Sequence, residues 1–198
     1  MKKILKFLLM YLLGLFIIAA CTPASGPITP APTSTPQAVA EKKSLPTPMP
    51  PNQTVVYGDF QVTMKDAGIT SSYITEYGTE REPPAGKNII WIHILLKNRS
   101  QAERNLPEPE HFSVLNVTNE FKATYGHRKD HADYMALTPS LVQGQEVNAW
   151  LRFDIPIELV LEDLKFVFMP ESSQVSFGSS LSDNPWDGHP IYFWNCLP

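Results

Sequence analysis

Two histidines in one polar stretch are the clearest candidates for metal chemistry in this sequence. His127 and His131 lie four residues apart, with Asp130 between them and Asp133 just after them. Imidazole and carboxylate groups are the side chains that bind zinc-like ions. No helical pattern places the two imidazoles on one face, so the spacing permits a metal site without specifying one. The alternative, which the sequence favours, is a solvated polar loop.

A second group of candidate residues is aromatic and lies near the C-terminus. Trp186, Tyr192 and Trp194 could form a surface that stacks on a sugar ring or contacts a partner protein. Large apolar side chains are found in protein interiors more often than in binding sites. The sequence therefore predicts either an aromatic binding surface at these three residues or an aromatic part of the core, and it favours the core.

Two other residues, His93 and Cys196, are expected to have structural roles. His93 lies within an apolar run, where a neutral, hydrogen-bonded histidine is expected. Cys196 is expected to be a small buried apolar residue, with an intermolecular disulfide as the alternative. The sequence lacks the GxSxG, HExxH, GxGxxG and GKS or GKT motifs of common enzymes. We therefore expect a non-enzymatic protein that needs no cofactor.

The N-terminal stretch predicts where the rest of the chain works. Lys2, Lys3 and Lys6 precede an apolar run, Phe7–Ile18, and small residues then lead to a cysteine, which is the order of an export signal. The apolar run is shorter than the about 20 residues that a membrane-spanning helix needs. Residues 1–20 are therefore predicted to be a cleaved signal peptide, and an uncleaved N-terminal membrane helix is the alternative.

The end of this leader, Ile18-Ala19-Ala20-Cys21, resembles the bacterial lipobox. The resemblance implies that a lipoprotein signal peptidase cuts between Ala20 and Cys21, and that the Cys21 thiol carries diacylglycerol. Each buried lipid methylene adds about 0.8 kcal/mol of membrane affinity, so several acyl chains hold a protein firmly. We expect the protein on the extracytoplasmic face of a bacterial membrane, the outer one if the cell has two.

Composition separates the leader from the folded part. Residues 21–53 are rich in Pro, Thr, Ser and Ala, and such a segment cannot bury enough apolar surface to offset the entropy of ordering it. We expect a disordered tether. The three lysines of the leader account for +3 of the formal net charge of −4, so the mature chain carries −7. Nucleic acid is therefore an improbable partner, because its binding needs clustered Lys and Arg.

The rest of the sequence has the period-two pattern of β-strands. Asn88–Lys97 is apolar on both faces, as expected of a central strand, and Val147–Ile155 alternates between apolar and polar residues. Phe112–Val117 and Phe121–Tyr125 read as a hairpin. Several short strands with turns between them predict an all-β fold, an antiparallel immunoglobulin-like β-sandwich. This sandwich is expected over residues 54–170, with a C-terminal extension, 171–198, that adds one or two strands.

Several motifs within these strands carry a family resemblance. They are Gly86, the strand end Leu96-Lys97-Asn98-Arg99-Ser100, His111-Phe112-Ser113-Val114, Gly144, and Trp150-Leu151-Arg152-Phe153-Asp154-Ile155-Pro156. Together they resemble the bacterial domain of unknown function numbered 4352, over roughly residues 55–170. The resemblance implies an immunoglobulin-like, telokin-like sandwich that often follows a lipobox and a low-complexity tether. It implies no catalytic residues.

These observations favour one function over two others. We expect a membrane-anchored lipoprotein that displays a non-enzymatic binding or scaffolding domain to an envelope protein or a glycan. The first alternative is an envelope lipoprotein that binds a metal or a small molecule through the loop of His127 and His131. The second is an envelope hydrolase whose site has no recognised motif.

Overall fold

The computed structural model of the chain describes residues 46–117, 119–137, 139–171 and 189–197. The predicted signal peptide, its cleavage site at Ala20 and Cys21, and most of the predicted tether lie outside the described residues. Trp186 lies outside them as well. Within the described ranges, no helix is long and apolar enough to cross a membrane.

The described residues form twelve strands and three one-turn 3-10 helices. The strands are β1 Thr54–Tyr57, β2 Phe60–Thr70, β3 Tyr73–Ile74, β4 Glu80–Arg81, β5 Lys87–Asn98, β6 Arg104–Asn105, β7 Phe112–Leu115, β8 Glu120–Thr124, β9 Ser140–Leu141, β10 Glu146–Pro156, β11 Lys165–Phe168 and β12 Tyr192–Asn195. The 3-10 helices are Pro109–His111, Tyr134–Ala136 and Leu161–Asp163.

Eight of these strands form one sheet, in the order β1-β2-β5-β10-β8-β7-β11-β12, and all of its pairs are antiparallel. Strand β8 joins the two halves, because it pairs briefly with β10 and then with β7. We call β1, β2, β5 and β10 the first half, and β7, β11 and β12 the second half. The sheet folds at β8, so that residues of both halves meet in one core. The predicted all-β antiparallel sandwich is therefore confirmed.

The core is built from the alternation that the sequence predicted. In β10, Ala149, Leu151, Phe153 and Ile155 are fully buried, while the residues between them are half-buried. Phe153 meets Phe166 of the second half edge-on, with 6.4 Å between ring centroids. Burying one such large side chain contributes about 1.5–3 kcal/mol, so the inner faces of the two halves hold each other together.

The folded domain begins earlier in the chain than the predicted boundary at residue 54. Met49 donates a backbone hydrogen bond to the carbonyl of Phe193 and accepts one from the amide of Asn195, both at 2.8 Å. This forms a parallel bridge at the edge of β12. The surrounding prolines are compatible with a sheet edge, where an amide is not always needed. Residues 46–53, assigned above to the tether, therefore include a part that packs on the sandwich.

Candidate functional site

The outward face of β5 and β10 carries aromatic and charged side chains side by side. Trp91 is directly opposite Arg152, and His93 is directly opposite Trp150. Directly opposed residues of an antiparallel pair project to the same face of the sheet. These four side chains therefore share the face that points away from the core. We call these four residues the outer-face cluster, together with Thr70, Tyr73, Arg128 and His131, which contact them.

Trp91 is the centre of this cluster. Its indole is only 2% exposed, and its Nε1 donates a hydrogen bond to Oγ1 of Thr70 at 3.1 Å. Tyr73 meets the indole edge-on, with 5.3 Å between centroids, and the Arg128 guanidinium lies 4.9 Å from the ring centroid. An arginine at this distance from a tryptophan ring is attracted by the ring quadrupole. The indole is therefore held by contacts from three separate segments of the chain.

The loop 126–137 covers part of this face and is closed by a buried carboxylate. Asp133 is 4% exposed, and its two oxygens accept hydrogen bonds from the amides of Gly126, at 3.3 Å, and Met135, at 3.0 Å. The amide of Trp150 donates to the carbonyl of Ala132 at 2.8 Å, which fixes the loop to β10. Burial raises the pKa of Asp133, although the two amides oppose this effect.

Gly126 lets the start of the loop approach the sheet closely. A Cβ added there would lie 2.5 Å from Cδ of Arg152 and 3.0 Å from Cη2 of Trp91. Arg152 has little freedom to withdraw, because it donates to Asp154 at 2.8 Å and to the carbonyl of Tyr125 at 2.9 Å. Only glycine fits between the loop and the cluster without displacing one of them.

Two histidines stack on Trp150. The ring centroid of His93 is 4.4 Å from that of the indole and that of His131 is 4.0 Å away, with interplanar angles of 9° and 20°. His93 also forms a hydrogen bond with Oδ1 of Asn148. The expected hydrogen-bonded state of His93 is confirmed. Its strand is not equally buried on both faces, because His93 itself is half-buried beneath the loop.

The three residues of the predicted metal site make separate contacts. His127 Nδ1 is 2.5 Å from the Tyr125 hydroxyl. Asp130 accepts two hydrogen bonds from Arg128, both at 3.0 Å, and this interaction lowers the pKa of Asp130. His131 is stacked on Trp150, with its Nδ1 3.4 Å from Asp130. Across the described ranges, no group of three or more His, Cys, Asp or Glu side chains is placed to hold a metal ion. The geometry gives the metal hypothesis no support.

The predicted aromatic surface near the C-terminus is wrong for Trp194. This side chain is fully buried, and its Nε1 donates to the carbonyl of Gln53 at 2.8 Å, so it belongs to the core. Tyr192 is half-buried against the same core. The reason is the pairing of β12 with β11, which turns Trp194 inward beside Phe166. Cys196 is buried as expected, and burial raises the pKa of its thiol to about 12.

An exposed aromatic surface is found elsewhere, beside the outer-face cluster. Tyr77 is 86% exposed in the turn between β3 and β4, Tyr125 is 58% exposed at the end of β8, and Ile74 is 44% exposed. The amide of Lys129 donates to the carbonyl of Ile74 at 3.0 Å, which holds the hairpin against the loop. We call Ile74, Tyr77 and Tyr125 the tyrosine rim. The exposure of these three side chains depends on tertiary packing, which a sequence pattern does not report.

The Tyr77 phenol is influenced mainly by Glu76, its neighbour in the chain. The pKa of Tyr77 is raised, first by hydrogen bonding to Glu76 and, more weakly, by the charge that Tyr125 carries when it ionises. Neither effect moves the phenol toward ionisation at neutral pH, because both raise the pKa. Tyr77 therefore presents a neutral hydroxyl group that can donate and accept hydrogen bonds.

Several solved structures are similar to this one. The structure is similar to that of the yjhA protein from Bacillus subtilis, at 13% sequence identity and a TM-score of 0.51, over 74% of this chain and 97% of that one. A functionally unknown protein from Listeria monocytogenes EGD-e matches at 9% identity and a TM-score of 0.48, over 73% and 81% of the two chains. An uncharacterized beta-sandwich protein from Clostridium difficile 630 matches at 11% identity and a TM-score of 0.46, over 77% and 97%.

Comparison of sequences identifies the family. No curated protein matches this sequence. The family described as "Domain of unknown function (DUF4352)" matches residues 50–172, which is more than half of the chain. The match includes the motifs of β5, β7 and β10 that carried the resemblance, and it agrees with the sandwich described above. The chain therefore belongs to the DUF4352 family of domains of unknown function.

Proposed function

We propose that this protein is a membrane-anchored extracytoplasmic lipoprotein whose sandwich is a non-enzymatic binding module for another envelope protein. The anchor is the lipid on Cys21, and residues 22 to about 45 form the tether. The binding surface is the tyrosine rim, supported by the outer-face cluster beneath it. The tether lets the rim sample many orientations above the membrane, because a proline-rich chain of this length is an extended spacer.

The observation that carries the binding proposal is the exposure of Tyr77 on a well-supported hairpin. Its ring is 86% exposed, although a tyrosine gains free energy by burying its ring. Tyr, Trp and Arg are the residues that most often dominate the binding energy of protein interfaces. Here the hairpin that carries Tyr77 forms a bridge from Thr75 to Arg128, and Arg128 is packed over Trp91. A partner would therefore meet a surface that is already ordered.

A protein partner fits this surface better than a glycan does. Tyr125 and His127 are perpendicular, with an interplanar angle of 88°, so these two rings do not form the flat platform on which a sugar ring stacks. Ile74 adds an exposed aliphatic side chain, which suits an apolar protein contact. Glycan binding is the alternative that the experiment below distinguishes from protein binding.

The binding proposal is tested by crosslinking the full chain in living cells. Envelope proteins crosslinked to the native chain are quantified by mass spectrometry and compared with those captured by Tyr77→Ala combined with Tyr125→Ala. Loss of two hot-spot residues at about 2 kcal/mol each predicts a fall in capture of at least tenfold. The matched control is Val142→Ala, which removes a 57% exposed side chain from another loop and should change nothing. Equal capture by the double variant would contradict the proposal, and glycan strands in the crosslinked product would favour the other partner class.

The anchor is tested separately, by metabolic labelling with a fatty acid. The native chain should incorporate the label and fractionate with membranes. Cys21→Ser should remove the label and leave an uncleaved precursor, because the thiol that accepts the lipid is gone. A labelled Cys21→Ser protein, or a native chain without label, would contradict the anchor while leaving the binding proposal open.

A further inference from the structure

Part of strand β2 is an unpaired edge of the main sheet. β1 covers only residues 60–63 of β2, and the amide of Asn52 then donates to the carbonyl of Met64 at 2.7 Å. On its other side β2 stays paired with β5 as far as Thr70. No strand of the described ranges pairs with residues 66–70 on the outer side. We call residues 66–70 the free edge of β2.

The register shows which backbone groups point outward at this edge. The amide of Trp150 donates to a loop carbonyl and not to β5, so Trp150 and His93 opposite it are a non-hydrogen-bonded pair. The backbone groups of His93 therefore point the other way, to Asp66 of β2. Since these directions alternate along a strand, the amides and carbonyls of Ala67 and Ile69 point out of the sheet. Neither residue has a partner for these groups in the part of the chain that the structure describes.

The free edge is accessible from outside. A cleft of about 320 Å³ lies against its first residues and is lined by Asp66 and Ala67 together with Pro51 and Leu161. The side chains of Ala67 and Ile69 pack against the core, yet both residues are only half-buried. The edge therefore presents backbone hydrogen-bonding groups, which are what a strand added from outside pairs with.

Gly68, at the centre of the free edge, has no explanation within the chain. Its φ angle is not positive, and a Cβ added there would meet nothing within 4 Å. It is not part of the bulge, which lies between Met64 and Asp66. Glycine weakens the interior of a strand, and the close approach of another backbone is one of the reasons for its use there. Such an approach can come only from outside the described ranges, across the free edge.

We propose that the free edge pairs with the same edge of a second copy of this chain, antiparallel, about a two-fold axis at Gly68. Ala67 then exchanges two hydrogen bonds with Ile69 of the second copy, and Ile69 exchanges two with Ala67 of the second copy. The two Gly68 residues form the non-hydrogen-bonded pair between them, where the Cα atoms of an antiparallel pair are closest, at about 4.5 Å.

A second copy matches this edge in length and in charge. The two edges have the same five residues, and their donors and acceptors are symmetric about Gly68. Asp66 is opposite Thr70 of the second copy, so no like charges face each other. The resulting two-fold dimer has the commonest symmetry of protein assemblies. It carries two tyrosine rims and, if the rim binds as proposed above, it holds a multivalent partner more tightly than one chain does.

Oxidative crosslinking of the full chain in detergent tests the register. The background is Cys21→Ser, and the buried Cys196 stays in place. Gly68→Cys should form disulfide-linked dimers at least about tenfold faster than Val56→Cys, because the Cα atoms at the two-fold axis are within the range that a disulfide spans. Val56 is the control, since it is 48% exposed on the neighbouring edge strand β1. Equal rates, or faster crosslinking through residue 56, would overturn the proposal.

Sedimentation equilibrium of the full chain tests the backbone pairing. Ala67→Pro removes an amide that points outward, so the pairing of β2 with β5 should survive, and far-ultraviolet circular dichroism checks this. The dissociation constant of the dimer should rise at least about tenfold. Ala67→Ser keeps the amide and should stay within about twofold of the native chain. A native chain that is monomeric at every concentration, or a dimer that Ala67→Pro leaves unchanged, would overturn the proposal. If Ala67→Pro does not fold, the crosslinking rates decide.

Discussion

The side chains on the two outward faces of the sandwich are held in place in different ways. On the first half, Trp91 and Trp150 are held by a hydrogen bond, by stacked rings and by the loop 126–137. The second half carries a cluster of buried apolar residues on its outward face. This cluster is Leu115, Val167, Met169, Ile191 and Phe193. The first face is fixed by directional contacts and is partly open, which suits recognition. The second depends on excluding water, which suits stability.

The largest expected effect is on the apolar face. Val167→Asp should lower the free energy of unfolding by about 3–5 kcal/mol, because it places a charge without a partner at a fully buried position. The free energy is measured by urea unfolding with far-ultraviolet circular dichroism. Val142→Asp, at an exposed position, is the control and should stay within about 0.5 kcal/mol of the native chain. If the two variants were equally stable, water exclusion would not be what holds this face.

A smaller effect is expected where the loop meets the polar face. Gly126→Ala should cost about 1–3 kcal/mol, because the new Cβ overlaps Arg152 and touches Trp91 and forces the loop outward. The tryptophan fluorescence should also shift, since the loop covers both indoles. Gly68→Ala is the matched control on β2, where an added Cβ meets nothing within 4 Å. Identical fluorescence and stability for both variants would show that the loop does not rest on the cluster.

The smallest effect is a pH dependence of the same loop. Burial raises the pKa of Asp133 in the folded protein above its ordinary value of 3.8. The folded state therefore binds this proton more readily than the unfolded state does. The resulting stability is fully present below pH 3.8 and is lost as the pH rises through the folded pKa.

Asp133→Asn removes this titration, so between pH 3.5 and 6 we expect its stability to fall less, or to rise more, than that of the native chain, measured by urea unfolding in the same buffers. Other carboxyl groups contribute equally to both proteins and cancel in the comparison. The apolar face offers a control in Val167→Ala, whose loss of stability should be the same at both pH values. A variant whose stability fell more, or rose less, than that of the native chain over this range would contradict the assigned direction.

The parts of the fold that follow from local pattern were predictable. The alternation in Val147–Ile155 places Leu151 and Phe153 in the core, where they are found, and the hairpin of β7 and β8 is confirmed with strand ends shifted by one or two residues. Period-two alternation reports on one sheet face at a time, and that is enough for a strand whose other face is open. The continuous apolar run of Asn88–Lys97 predicted the position of the central strand β5 to within a residue at each end.

The site was not predictable from the same signals. Tyr77 and Tyr125 are 48 residues apart in the chain, and the segments that carry them meet only because the hairpin of β3 and β4 packs beside the loop after β8. Trp194 could have faced either way, since its direction is decided by the register between β11 and β12. Val167 is buried although it alternates with core residues, because the outward face of its sheet is apolar too. Each of these outcomes depends on long-range pairing, which a single sequence does not specify.

The bridge between Met49 and β12 matters most when the tether is pulled. If the chain is anchored through Cys21, any tension between the membrane and a bound partner reaches two backbone hydrogen bonds at Met49 before it reaches the longer ladder of β1 and β2. If those two bonds broke, the next backbone tie to the sheet would be the hydrogen bond from Asn52 to the carbonyl of Met64, so residues 49–51 would add about 10 Å of length at 3.3 Å per residue. Tension on an anchored chain would thus lengthen this attachment before it reached the pairing of β1 with β2.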